Sequence, residues 1–248
     1  MKVKIFSFSA DLLCEYDRLK TGCSEIDKIL RGGFRNNILN ELVGTAGSGK
    51  TQICLYLSLM VQLPKQFGGL NKAAVYICTE DVFPIKRLYQ MSSYFEQKFG
   101  IENSLDNVFI SHIADSQRLK KVLCFDIKHL GRFKSIGLIV IDSIGGLFRN
   151  HSSGMRYDHR SKDLAKIAEE LRKLSSRFKC IILCCNQMTD NIKTGCSEPC
   201  LGLSWSNLVN SRFRITRTTS SWRTFEIIFS PDLPPAHCNF SIANTGIK

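Results

Sequence analysis

Gly44-Thr45-Ala46-Gly47-Ser48-Gly49-Lys50-Thr51 is the stretch on which the reading of this chain turns. It matches the phosphate-binding pattern G-x-x-x-x-G-K-[ST] at every fixed position. Such a loop must leave a strand and enter a helix, and the flanks supply both. Leu39-Asn40-Glu41-Leu42-Val43 is a short, mostly apolar run before it. Gln52 to Leu63 is apolar over a helix's length, and Pro64, which has no backbone donor, closes it. Glycines at 44, 47 and 49 let the backbone curl until successive N–H groups of the octapeptide face a β-phosphate, with the positive helix end behind them. Lys50 then reaches the β- and γ-phosphates, and the Thr51 hydroxyl is a ligand for Mg2+.

The chain has 248 residues, enough for one sizeable α/β core, and no Pro/Ser/Gly-rich linker divides it. The expected organisation is an N-terminal arm over 1–20, with a strand near Val3 to Phe8, and a core over 21–248. No apolar run approaches the roughly 18 residues of a membrane span. Lys4, Ser7, Ser9 and Asp11 interrupt the first stretch, so neither a secretory signal nor a membrane partner is expected. Of eleven cysteines, Cys54, Cys78, Cys180, Cys184 and Cys185 lie in apolar runs, as small buried hydrophobes do, which fits a reducing, intracellular compartment. Cys196 and Cys200 share a loop, but no second ligand pair stands near them, so they read as loop thiols rather than a zinc site.

Five β-rich runs alternate with helical patterns: Leu39 to Val43, Ala73 to Thr79, Val108 to His112, Ile136 to Ile141 and Lys179 to Cys185. Continuous apolar strands are buried on both faces, so the fold class is α/β, a mostly parallel sheet covered by helices. The helices fall at Thr51 to Leu63, Ile85 to Phe99, Ser116 to Leu130 and Lys162 to Phe178. In the last, Leu164, Ile167, Ala168, Leu171 and Leu174 form the core stripe. Thr21 to Leu30 reads as a short capped helix closed by Gly32-Gly33. After Trp205 the period becomes two, with Phe213 and Ile215, then Phe225, Ile227 and Phe229, around a Thr218-to-Ser221 turn: an antiparallel C-terminal hairpin.

Phosphoryl transfer also needs a carboxylate on the metal side and a group that orients water. Leu138-Ile139-Val140-Ile141-Asp142 is an apolar strand that delivers Asp142 to its carboxyl end, where it holds the ion or a water on it. Glu80 emerges from Val75-Tyr76-Ile77-Cys78-Thr79 at the same edge, where open α/β sheets bind ligands, and suits the water-orienting role; Asp81 competes with it. Asn186 and Gln187 end a third strand, and either amide could sense the γ-phosphate. The net charge of +12 and its clustering point to a polyanionic partner, nucleic acid. Arg149, Arg156, Arg160, Lys162 and Lys166 follow one strand, Lys193 lies in another loop, and Arg212, Arg214, Arg217 and Arg223 sit on the hairpin.

At this point the chain resembles the RecA-like recombinases, in particular the eukaryotic strand-exchange proteins and their paralogues. The resemblance runs from Thr21-Gly22-Cys23-Ser24-Glu25-Ile26-Asp27 through Glu41, the phosphate loop with Gln52, Thr79-Glu80, Phe83 with Arg87-Leu88, Ile139 to Ser143 and Asn186-Gln187, to Ser230-Pro231 and Leu233-Pro234. Pro64 to Leu70, Ala74 to Asp81 and Lys86-Arg87-Leu88 are most similar to the paralogue group named for X-ray-repair cross-complementation, type three.

The resemblance implies a RecA-like core with sheet order 3-2-4-5-1 and the hairpin beside strand 1, ATP with Mg2+, and slow, DNA-dependent ATP hydrolysis in homologous recombination. It implies Glu80 as the catalytic acid with Lys50 and Gln187, Asp142 as the metal-side carboxylate, Gln52 in the nucleotide site and Arg87 against adenine. Two DNA loops would cover Asn150 to His159 and Thr189 to Ser204, with Arg156, Arg160 and Lys193 tracking the phosphates of single-stranded or junction DNA. Trp205, at the border of the second loop, either stacks on a base or belongs to a core or interface.

A related paralogue and the main recombinase are the implied protein partners, and the nucleus, with the cytoplasm second, the implied setting. Two departures stand out. Phe8-Ser9-Ala10 lacks the Phe-x-x-Ala spacing of a polymerisation segment, and few residues precede the core, so long autonomous filaments are not expected. Phe229 replaces the acid that usually precedes Ser-Pro in the ATP cap of the family, which implies slow hydrolysis, with ATP expected to act as a binding switch rather than in fast turnover.

Overall fold

The computed structural model describes residues 16–102, 104–148, 157–190 and 197–248, without the side chains of Tyr157, Asp158 and Asp190. The expected strand near Val3 to Phe8, Arg149, Arg156, Lys193 and Cys196 lie outside the described residues.

The apolar runs form five parallel strands: β3 (Leu39–Gly44), β4 (Ala73–Cys78), β5 (Val108–His112), β6 (Ile136–Asp142) and β7 (Ile181–Asp190). Before them a small ribbon pairs β1 (Arg18–Leu19) with β2 (Phe34–Arg35). Across the main sheet the order is β5-β4-β6-β7-β3, the expected 3-2-4-5-1. The sheet continues from β3 into the expected hairpin, β9 (Ser211–Arg217) and β10 (Trp222–Phe229). Two further strands, β11 (His237–Ala243) and β12 (Gly246–Ile247), extend it. They were not expected, because β11 is mostly half-buried and β12 is only two residues long, so neither carries enough apolar alternation to signal itself.

Period-two alternation divides each parallel strand between two cores. Leu42, Tyr76, Val140 and Leu183 meet α2 (Lys50–Met60) and α3 (Ile85–Phe99) on one face. Leu39, Val75, Ile139 and Ile182 meet α4 (Ser116–Lys121), α5 (Ile127–Leu130) and α6 (Tyr157–Phe178) on the other. α3 and α6 are amphipathic, as their spacing predicts. α2 differs: every residue from Ile53 to Met60 is buried, because the helix contacts the sheet, α3 and β12. A helix apolar all round has to be walled in.

Several boundaries move. α2 ends at Met60 rather than Leu63, α6 starts at Tyr157 rather than Lys162, and a π turn over Val122–Asp126 separates α4 from α5 where one helix was expected. β7 runs on to Asp190 and pairs with β8 (Ser197–Pro199), followed by the short α7 (Gly202–Ser206). Leu19 in β1 is fully buried, so the packed core takes in residues that were assigned to the arm. α1 (Ser24–Ile29) has no side-chain cap at Cys23. The Asp27 carboxylate closes the turn instead, accepting from Thr21 N (2.6 Å), Thr21 Oγ1 (2.8 Å) and Gly22 N (3.2 Å).

Candidate nucleotide-binding site

The phosphate loop leaves β3 and enters α2 at Gly49, whose φ of 117° is open to glycine and strained for any residue with a Cβ. That turn aims the first-turn N–H groups of α2 back into the loop. Lys50, only 7% exposed, folds over the same loop, its Nζ donating to Gly44 O (2.7 Å) and Thr45 O (2.9 Å). Thr51 Oγ1 donates to Asp142 Oδ2 at 2.6 Å, which joins the loop to the end of β6. Tyr76 OH donates to the same oxygen, also at 2.6 Å. Burial, and then the Asp142 charge, push the Tyr76 hydroxyl well above its ordinary range, so it remains a donor at physiological pH.

Glu80 follows β4 beside this pair. Its Oε2 accepts from Gln187 Nε2 (2.7 Å) on β7 and from Ser143 Oγ (3.1 Å) just after β6. Ser143, which follows a cis peptide, is itself positioned by Thr79: its N–H donates to Thr79 Oγ1 (3.0 Å) and its carbonyl accepts from that hydroxyl (2.6 Å). A Cβ at Gly146 would come within 2.2 Å of Glu80 Cγ, so the glycine makes the room in which Glu80 sits. Neither Ser143, Thr79 nor Gly146 was picked out for this from sequence. Ala46, Lys50, Thr51, Glu80, Asp142 and Gln187 all line one cleft of about 280 Å³.

The structure places the paired candidates differently. Asp81 also lines the cleft but is exposed, whereas Glu80 is held by residues of two neighbouring strands. Gln187 points into the cleft; Asn186 points the other way, donating from Nδ2 to Glu41 Oε1 (2.9 Å) beneath the sheet edge. Gln52 and Arg87 meet beside the first turn of α2, Arg87 Nε donating to Gln52 Oε1 (2.7 Å). Further donation to Ala243 O (2.7 Å), Asn244 O (3.0 Å) and Gln90 ties that guanidinium to the β11–β12 turn.

The arginines of the hairpin do not form the common basic face that clustering suggested. Arg212 is 9% exposed and its Nε donates to the fully buried Glu41 (2.6 Å), with the guanidinium 5.2 Å from the Phe229 ring centroid. Arg214 is held by Glu226 (2.6 Å). Arg223 reaches the phosphate loop, its Nε donating to Ser48 O (3.0 Å). A charged residue inside the apolar run before the loop, Glu41, was the available signal: it requires a buried cation.

Trp205 is fully buried in the core under α6, which removes the base-stacking alternative. Of the three DNA candidates, Arg160 is described. It directly follows the first expected loop in sequence, and its Nη2 donates to Cys200 O (3.3 Å), within the span of the second, with Cζ 5.9 Å from the Phe148 ring centroid. Lys162 and Lys166 are exposed on the same helix. Among the described residues no cluster of His, Cys, Asp and Glu has the makings of a metal site, and no helix is long and apolar enough to cross a membrane.

The cleft fits a magnesium nucleotide. A hydroxyl and a carboxylate, Thr51 and Asp142, are the hard oxygen donors that Mg2+ takes. Buried Ser48 Oγ has no hydrogen-bond partner among the described residues. Nothing lies within 4 Å of where a Gly47 Cβ would stand, so the mouth of the cradle is open.

Known proteins are similar to this chain over nearly its whole length. The DNA repair protein XRCC3 of Bos taurus is 34% identical over 94% of this chain and 75% of its own length. The XRCC3 homolog of Arabidopsis thaliana is 35% identical over 93% of this chain and 92% of its own. The archaeal DNA repair and recombination protein RadA of Metallosphaera sedula is 31% identical over 93% and 72%. These relatives agree with the expected similarity to the type-three paralogue group. The Rad51 family profile matches residues 15–248, from the ribbon that opens the core to the last strand of the sheet, and the chain therefore belongs to the Rad51 family.

Proposed function

We propose that the protein is a MgATP-dependent accessory ATPase of recombinational DNA repair. In this reading it binds single-stranded or junction DNA and acts with a related paralogue or the main recombinase, in the nucleus. The observation that carries this reading is the convergence, on three adjacent strand ends, of Thr51–Asp142 (2.6 Å) and Gln187–Glu80 (2.7 Å) around the phosphate loop. A loop without those carboxylates would bind phosphate and do no more.

Lys50 exchanges its contacts with Gly44 O and Thr45 O for β- and γ-phosphate oxygens. Thr51 and Asp142 would hold Mg2+, which would supply charge neutralisation for the transferred phosphoryl group. Tyr76 fixes the Asp142 carboxylate. Glu80 orients the attacking water and takes its proton. Gln187, bonded to Glu80 and continuous along β7 with the second DNA loop, relates the state of the γ-phosphate to the DNA side. Arg160 and exposed Lys162 and Lys166 meet DNA phosphates together with Arg156 and Lys193.

The test is ATP turnover by the purified chain with and without single-stranded DNA, for wild type and Glu80→Gln. DNA should raise the wild-type rate. Glu80→Gln should lower turnover by about 100-fold or more while nucleotide binding persists. A wild-type rate indifferent to DNA would sink the DNA-coupled switch, and a Glu80→Gln rate equal to wild type would remove Glu80 from the chemistry.

A further inference from the structure

Four hairpin arginines face four different environments, and one of them lies against the phosphate loop. Arg212 and Arg214 are each matched by a glutamate, and Arg217 donates to Thr219 O (3.2 Å) in the turn. Arg223 sits on the phosphate loop, and no carboxylate lies within ion-pair distance of it among the described residues.

Its geometry is specific. Nε donates to Ser48 O at 3.0 Å and Nη1 to Ser221 O at 3.2 Å, so the side chain is fixed at the loop and at its own hairpin turn. A Cβ placed at Gly49 would lie 3.2 Å from Arg223 Nε and 3.3 Å from its Cδ, which shows the side chain packed against Gly49. The Ile242 Cδ1 methyl of β11 approaches the same position to 2.7 Å. The outer face of the loop at its left-handed glycine is thus covered by the C-terminal strands of the same chain.

We propose that Arg223 is a positioning residue of the nucleotide site. It holds the loop's outward carbonyl so that the inward N–H groups stay aimed at the phosphates, and it brings an uncompensated positive charge behind them. The inference rests on the reading of the loop as a nucleotide site and goes beyond it. A cation hydrogen-bonded to the carbonyl of an amide polarises that amide, and polarised hydrogen bonds in series strengthen one another. Here the polarised group is the Ser48–Gly49 peptide, whose N–H belongs to the cradle. Burial, and then the charge of Arg217, lower the proton affinity of the Arg223 guanidinium. An anion in the cradle relieves that cost. The same contact makes the hairpin answer to the nucleotide: the strand that carries Arg223 pairs with β9, which follows the second DNA loop in the chain.

The experiment uses the full chain with Arg223→Gln and Arg223→Lys. Binding of fluorescent ADP and of a non-hydrolysable ATP analogue is measured with Mg2+, and binding of single-stranded DNA without nucleotide, with melting curves to confirm folding. Arg223→Gln should weaken both nucleotides about tenfold, the scale of one charge-assisted hydrogen bond. DNA affinity without nucleotide should stay within about twofold, since the residue acts through the loop. Arg223→Lys keeps the charge but loses the planar fork and should show a smaller loss than glutamine.

Nucleotide affinity equal to wild type in Arg223→Gln overturns the inference. So does a nucleotide-free loss of DNA binding as large as the nucleotide loss, which would return Arg223 to the DNA surface. If Arg223→Gln does not fold, Arg223→Lys decides alone: weakened nucleotide binding supports the role and unchanged binding overturns it. If wild type binds no nucleotide, the reading of the loop itself fails and takes this inference with it. If wild type binds and both variants match it, only the role of Arg223 falls.

Discussion

The loop end and the middle of β3 treat charge in opposite ways. At the loop end, Lys50 and Asp142 are satisfied by exchangeable partners: two main-chain carbonyls for the amine, two hydroxyls for the carboxylate. A ligand can take those partners' places without leaving an ion stranded. Beside the strand's middle, Glu41 is fully buried between Arg212 and Asn186, and each of its oxygens already has a donor from another strand. That arrangement has nothing to exchange. The lesson is that a charge's role in this fold follows from whether its partner can be replaced, not from how many charges stand near it in sequence.

The comparison is sharpest where Glu41 is removed. Glu41→Ala leaves Arg212 buried without an anion and should cost about 3–5 kcal/mol of folding stability, measured by urea denaturation. A cost no larger than that of an exposed pair would erase the distinction.

A smaller effect is expected at Asp232, which accepts from Arg18 and Ser230 and lies 3.4 Å from Arg35. Burial raises its proton affinity, but the Ser230 hydrogen bond and the Arg18 charge outweigh it, and the carboxyl lies below its ordinary range. A depressed carboxyl contributes stability above its unfolded value, about pH 3.9, and loses it as pH falls through the lower folded value. Wild type should therefore exceed Asp232→Asn by about 1 kcal/mol at neutral pH, with the gap closing below about pH 4. A gap that widens on acidification would show that the pair works otherwise. The least effect belongs to Arg214→Ala, which removes a pair with 44% and 36% of its side chains exposed. About 0.5 kcal/mol or less is expected, declining with added salt.

The parts of the molecule that could be read from sequence are those whose physics is local. A strand buried on both faces has to be a continuous apolar run, so β3, β4, β6 and β7 announced themselves, and each carboxyl end marked a site residue: Lys50 after β3, Glu80 after β4, Asp142 on β6, Gln187 on β7. Choosing Gln187 over Asn186 needed register, because neighbouring residues of one strand face opposite ways. The hairpin arginines needed pairing as well as register. Arg212, Arg214 and Arg223 look alike in sequence, and only their cross-strand neighbours assign one to Glu41, one to Glu226 and one to Ser48 O. Tyr76 was legible as a strand residue but not as the donor that fixes Asp142, since that depends on β4 lying beside β6. β11 and β12 were missed for a related reason: an edge added to an existing sheet takes its stability from main-chain pairing, which composition does not record.

One consequence follows from the enclosure of α2. A helix with the sheet, α3 and β12 on its sides resists fraying into solvent, and its amides are expected to exchange with water only when larger cooperative units separate. The phosphate loop is therefore mounted on one of the most enclosed segments of the molecule, with Gln187 of β7 in the same cleft on one side and Arg223 and Ile242 of the C-terminal strands against the loop on the other.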